Sequence, residues 1–105
     1  MTTYQSAQLQ ALADPTRQHI VARLRDGPLP VTAIANGLPV SRPAVSAHLR
    51  VLSQAGLVRF QRQGTRHLYS LEPDGVASLR AWLDELWTDA LTAFAEYTMK
   101  QESKP

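Results

Sequence analysis

The sequence contains no cysteine, which excludes disulfides, zinc ribbons and thiol-based redox sensing. No apolar run approaches the roughly 20 residues needed to span a bilayer. The opening MTTYQSAQLQ has neither the basic region nor the apolar stretch of a signal peptide. The expectation is a soluble, cytoplasmic protein with no membrane association. Apolar residues make up 44% of the 105 and charged residues 19%, too apolar for disorder and enough for one modest core. The most informative absence is local. Between Ser41 and Ser70 there is no Asp or Glu, while the same stretch holds Arg42, Arg50, Arg59, Arg62 and Arg66. From Leu71 onward the chain carries a net −4, so the overall +2 conceals a basic middle beside an acidic segment. That is the footprint of an element facing a polyanion, although arginines clustered on a solvated surface would look the same by charge alone.

What is present supplies the order of elements. Residues 4–12 read as a short helix with Leu9 and Leu12 on one face. Asp14-Pro15 restarts the chain as an N-cap and a first helical position. The second helix runs to about Arg25, burying Ile20 and Leu24, and Asp26-Gly27-Pro28 stops it. Residues 31–36 form a third, short helix with Ile34 and Ala35 apolar, and Gly37-Leu38-Pro39-Val40 is a tight turn. Ser41 caps a fourth helix, with Pro43 in the first turn where a missing N–H costs nothing. That helix continues to Ala55 with an apolar stripe of Val45, Leu49 and Leu52, and Gly56 ends it. Residues 57–63 and 67–71 read as strands turning at Gln63-Gly64-Thr65-Arg66, with glycine where a positive φ is wanted. Asp74 is expected to cap a long last helix. There Val76, Leu79, Leu83, Leu86, Ala90, Phe94 and Tyr97 recur at helical spacing over about six turns. No repeat or linker interrupts the chain, so one domain over 1–105 is expected.

Short helix, tight turn, second helix and hairpin is the order of a winged helix-turn-helix: mainly α with a two-stranded β-hairpin. The helix-turn-helix falls at about 31–55 and the wing at about 57–71. Opposite its core stripe, the fourth helix presents Pro43, Ser46, Ala47 and Arg50, with Ser41 and Arg42 at its tip. Small residues and hydroxyls let a helix sink into a major groove about 12 Å wide. Arginine can pair bidentately with guanine or clamp a phosphate. On the hairpin, Arg59, Arg62 and Arg66 flank a tip containing Gly64 and Thr65, as expected of a wing on the DNA backbone or in the minor groove. Each feature alone suits a solvated surface; together, in this order and free of acids, they point to double-stranded DNA.

The strings ALADPTRQHIVARL, VTAIANGLPVSRPAVSAHLRVLSQAGLV and RQGTRHLYSL resemble the ArsR/SmtB family of bacterial repressors, over about Leu9 to Tyr97. The segment VSRPAVSAHLRVL is its most specific part. The resemblance implies a homodimer whose first and last helices, about 4–12 and 74–99, pack on the partner's. Leu9, Leu12, Leu79, Trp82, Leu83, Leu86, Trp87 and Phe94 are the interface it assigns. It further implies a regulator, expected to repress and even to repress its own gene, on an operator of two symmetric half-sites. DNA would be released by a signal that the sequence leaves open, a small molecule or a protein. His48 stands at the margin of the apolar stripe, beside Ala44 and Ala55. That position suits a packed, hydrogen-bonded histidine, whereas the family's matching histidine lies near DNA, and both readings stay open.

The departures from the family matter equally. Metal-sensing branches carry a Cys-x-Cys on the third helix, where this chain reads VTAIAN. Another branch pairs Asp and His with His and Glu on the last helix. Here Asp84, Asp89 and Glu96 occur there, but His19, His48 and His67 lie elsewhere. Carboxylates without nitrogen or sulfur ligands make a poor zinc site, so neither a metal nor any other cofactor is expected. Catalysis is not expected either, since three histidines on three elements offer no converging nucleophile, base and orienter. The remaining alternatives are a winged-helix protein-interaction module without DNA binding and a metal-responsive repressor with an unrecognised site.

Overall fold

The computed structural model describes residues 3–102; the ends of the expected 1–105 domain, Lys104 among them, lie outside the described residues. The elements are α1 (Thr3–Leu12), α2 (Pro15–Arg23) with a 3₁₀ turn (Leu24–Asp26), α3 (Val31–Ala35), α4 (Arg42–Gln54), β1 (Val58–Gln63), β2 (Arg66–Leu71) and α5 (Pro73–Glu102). This is the expected winged helix-turn-helix order.

Local chemistry accounts for the boundaries. Asp14 caps α2 by accepting from the Arg17 N–H at 3.0 Å, with Pro15 at the first helical position. Ser41 caps α4 by accepting from the Ala44 N–H at 3.3 Å. The helix ends in a Schellman pair, Gly56 N–H to Ser53 and Leu57 N–H to Leu52, both 3.0 Å, which needs the left-handed φ of +75° that Gly56 adopts. The five-residue α3 is too short to hold itself. The Arg23 guanidinium caps its end, donating to the carbonyls of Ala33 (3.3 Å), Ile34 (3.1 Å) and Asn36. One expectation needs correcting: α5 begins at Pro73, so Asp74 sits inside the first turn rather than capping it. Proline is well suited to the opening position because its fixed φ is already helical.

Ile20, Leu24, Ile34, Val45, Leu49 and Leu52 form the centre of the core, joined by Leu57, Val58 and Leu79. The three residues of the α4 stripe are fully buried. Burial of this kind contributes roughly 1.5–3 kcal/mol for each aliphatic side chain and fixes which face of α4 is left outward. β1 and β2 pair antiparallel from Val58↔Leu71 to Gln63↔Arg66. Leu29 adds a one-residue bridge to Tyr69, with backbone bonds of 2.9 and 2.8 Å, tying the wing base to the α2–α3 connection.

α5 does not fold back on this body. Its first part does pack there: Leu79 is 6% exposed, and Trp82 and Leu83 lie against the core. Beyond them the helix runs free, with Trp87 64% and Phe94 68% exposed. Thirty residues at 1.5 Å each reach about 45 Å. The molecule is accordingly 71 Å long with a radius of gyration of 18.7 Å, against about 13 Å for a compact chain of similar length.

Candidate nucleic-acid interface

The burial of Val45, Leu49 and Leu52 turns the opposite side of α4 outward. Ser41, Arg42, Pro43, Ser46, Ala47 and Arg50 are all exposed. The helix leads through Gly56 and Leu57 straight into β1, so α4 and the hairpin are directly consecutive. Arg62, Gly64, Thr65 and Arg66 are exposed at the far end of the hairpin. Gly64 takes φ +64° and no non-glycine residue among the described ones has a positive φ, so Gly64-Thr65 is a type II′ turn matched to the strand twist. An open cleft of about 500 Å³, lined by Thr32, Asn36, Gly37, Val40 and Arg42 among others, flanks the N-terminus of α4.

The hairpin register separates the arginines that sequence reasoning groups together. Arg62 is paired with His67, and Arg66 with Gln63. Because side chains alternate along a strand, Arg62 and Arg66 leave the tip from opposite faces. Arg59 does not flank the tip. It lies opposite Ser70 near the hairpin base and donates from Nε to Ser70 Oγ at 3.4 Å. His67 is exposed beside Arg62, with its Nε2 3.5 Å from Arg62 Nη2 and its ring edge-on to Phe60 at 5.2 Å. Sequence alone does not single out His67, because only pairing register shows which neighbour it meets.

His48 is half-buried, and its Nδ1 lies 3.3 Å from Nη1 of Arg17. Arg17 also donates from Nε to the Ala11 carbonyl at 2.6 Å and from Nη2 to that of Gln10 at 3.4 Å. Sequence does not single out Arg17 either, since 31 residues separate it from His48.

The residues assigned to an interface with a second copy divide into three groups. Leu79 belongs to the protomer's own core, a correction to its expected place, because the first turns of α5 are held down on the body. Leu9, Leu12, Trp82 and Leu83 are partly buried against that core with one side left open. Leu86, Trp87 and Phe94 are exposed on the free part of α5, together with Leu91 and Tyr97. Leu91 is an addition to the expected stripe, and it follows Trp87 by one helical turn. Among the described residues no group of three or more His, Cys, Asp or Glu is placed to hold a metal ion, and no helix is long and apolar enough to cross a membrane.

A family profile described as a helix-turn-helix domain matches residues 12–59. The chain is 55% identical over 98 residues to the HTH-type transcriptional regulator Rv2034 of Mycobacterium tuberculosis, covering 91% of this chain and 92% of that protein. An ArsR-like transcriptional regulator from Rhodococcus sp. RHA1 superposes with a TM-score of 0.81 at 26% identity, over 96% of this chain and 93% of the other. A homodimeric winged helix-turn-helix DNA-binding domain from Mycobacterium bovis, a possible ArsR-family regulator solved by NMR, matches at 31% identity and a TM-score of 0.65. That match covers 82% of this chain and 80% of the other. With the order of elements and the exposed basic face already in place, these likenesses establish that the chain belongs to the ArsR/SmtB family of helix-turn-helix transcriptional regulators.

Proposed function

We propose that the protein is a repressor that binds double-stranded DNA as a homodimer. α4 enters the major groove and the β1–β2 hairpin lies on the flanking backbone or in the minor groove. The observation that carries this reading is the strip from Ser41 to Arg66. Arg42, Arg50, Arg59, Arg62 and Arg66 are all exposed on it, and no carboxylate interrupts it. A stretch carrying one sign of charge, with small residues at the centre of the helix face, fits a groove lined by phosphates. Ser46, Arg50 and Arg42 are assigned base-edge contacts, with Pro43 and Ala47 giving close approach and Ser41 marking the N-terminal tip. Arg62 and Arg66, on opposite faces of the tip around Gly64-Thr65, straddle the backbone.

The second copy is supported by the free half of α5. An isolated chain would leave Leu86, Trp87, Leu91, Phe94 and Tyr97 in water, a patch of the kind that marks an interface. Leu9, Leu12, Trp82 and Leu83 extend that surface onto the body. The dimer then presents two α4 helices to an operator of two symmetric half-sites, and an occupied operator excludes other proteins from the same duplex. We place the protein in the cytoplasm, with a small molecule or a protein as the signal that releases DNA.

The test is a fluorescence-anisotropy titration of the protein on duplexes from the region upstream of its own gene and on scrambled duplexes. Saturable binding with a strong preference for one upstream segment, at one dimer per site, is the expected result. Equal affinity for every duplex, or none, would refute the assignment.

A further inference from the structure

The hydrogen-bond chain from α1 to α4 through Arg17 does more than pack two helices. A guanidinium is always protonated and only donates. At 3.3 Å from Nη1 of Arg17, Nδ1 of His48 therefore acts as the acceptor. A neutral imidazole with an accepting Nδ1 carries its hydrogen on Nε2. The half-buried His48 has no hydrogen-bond partner at Nε2, and Gln8 Oε1 is the sole unpartnered side-chain N or O atom buried from solvent among the described residues. Nε2 is therefore open to solvent. It rides on the helix that also carries Ala47 and Arg50, at the edge of their outward face.

We propose that Arg17 is a positioning residue for DNA reading: it fixes His48 as the Nε2–H tautomer and so presents one directed donor to an acceptor on the duplex. This rests on α4 being the DNA-reading helix. The guanidinium is itself immobilised, because the carbonyls of Ala11 and Gln10 hold Nε and Nη2 and the Asp14 carboxylate holds the Arg17 backbone N–H. The orientation of His48 is thereby tied to the end of α1, a helix assigned to the interface with the second copy. A lysine could not reproduce this, because a single ammonium lacks the planar fork that spans two carbonyls and an imidazole.

The experiment joins a spectroscopic readout to DNA binding. Long-range ¹H–¹⁵N spectra of the free protein, at a pH where the imidazole is neutral, report the His48 tautomer. Anisotropy titrations on the preferred duplex compare wild type with Arg17→Met, His48→Ala, His48→Gln, the Arg17→Met/His48→Ala double variant and Arg50→Ala. Thermal melts confirm that each variant is folded at the titration temperature. We expect the Nε2–H form in wild type and a mixture of tautomers in Arg17→Met. His48→Ala should lose on the order of tenfold in affinity, the scale of one hydrogen bond per half-site. Arg17→Met should show a smaller, roughly two- to fourfold loss, because a tautomer mixture keeps part of the Nε2–H donor. The double variant should lose no more than the worse single one. His48→Gln, whose amide N–H can stand in for Nε2–H, should stay within about twofold of wild type, on the same scale. An Nδ1–H tautomer in wild type, additive losses, or a His48→Ala variant that binds like wild type while Arg50→Ala does not would overturn the relay and leave the reading of α4 intact. Should Arg50→Ala and His48→Ala both bind like wild type, the reading of α4 falls and the relay falls with it. If Arg17→Met does not fold, Arg17→Lys replaces it, with the same tautomer mixture and loss expected.

Discussion

The backbone of Gly75 passes so close to the carbonyl oxygen of Gly56 that no Cβ fits between them. The Gly75 carbonyl in turn accepts from the buried Nε2 of Gln8 at 3.1 Å. The end of α4, the start of α5 and the middle of α1 therefore meet at one point, which joins the proposed DNA-reading helix to the helices assigned to the second copy.

Gly75→Ala should accordingly destabilise the fold by about 1–3 kcal/mol or more, because backbone rather than a flexible side chain would have to move. Gly64→Ala meets no atom within 4 Å and should cost only the strain of a left-handed alanine, about 1 kcal/mol. Chemical denaturation of both variants checks the ranking. Equal losses would mean that the two glycines are not packed as described.

The division of α5 into a held part and a free part makes a paired prediction. Leu86→Asp or Phe94→Asp should yield a folded monomer or an insoluble protein, since both side chains are exposed in a single chain. Leu79→Ala should instead lower stability by about 2–5 kcal/mol through a core cavity, while the remaining folded fraction stays dimeric. Sedimentation velocity at micromolar concentration separates the outcomes. A wild-type chain that sediments as a monomer would overturn the dimer.

The two basic elements should fail differently. Arg62→Ala and Arg66→Ala should weaken upstream and scrambled duplexes alike and flatten the salt dependence by about one unit for each phosphate no longer neutralised. Arg42→Ala, Ser46→Ala and Arg50→Ala should erode the preference for the upstream duplex, by roughly 1–3 kcal/mol for each base edge no longer read. Salt titrations on both duplexes decide it. Wing variants that erase preference would reverse the roles.

The Arg17 backbone N–H holds the Asp14 carboxyl below the usual carboxylate range. Partial desolvation opposes it, and the charge of Arg17 and the Thr16 N–H reinforce it. A pKa lowered by folding contributes stability above the unfolded value and loses it as pH falls through the folded one. The gap in melting temperature between wild type and Asp14→Asn should therefore be full near neutrality. It should close as pH drops below about 4, the ordinary range for Asp. A gap that widens in acid would contradict the cap.

Low micromolar zinc, cadmium or arsenite should leave DNA affinity unchanged, since VTAIAN offers neither thiolate nor imidazole and the sequence of α5 contains no histidine beside its acids. Stoichiometric zinc binding that releases DNA would point to a site assembled between protomers, from Asp84, Asp89 or Glu96.

Much of this protein is legible in one dimension because its signals are local. Asp14-Pro15 and Ser41 start helices through bonds to N–H groups three residues on. Gly56 and Gly64 end or turn elements through a φ that other residues resist. The period of Val45, Leu49 and Leu52 decides which side of α4 is outward without reference to any other element. Tertiary structure decided what depends on distance in space. Spacing places Leu79 and Leu86 on one continuous stripe, yet the body covers the first and leaves the second bare, because Gly75 and Gln8 pin only the start of α5. Strand register, not composition, sent Arg62 and Arg66 to opposite faces and moved Arg59 to the hairpin base. The partnership of Arg17 with His48 has no periodic signature at all, since a hydrogen bond between helices depends on how their buried faces pack.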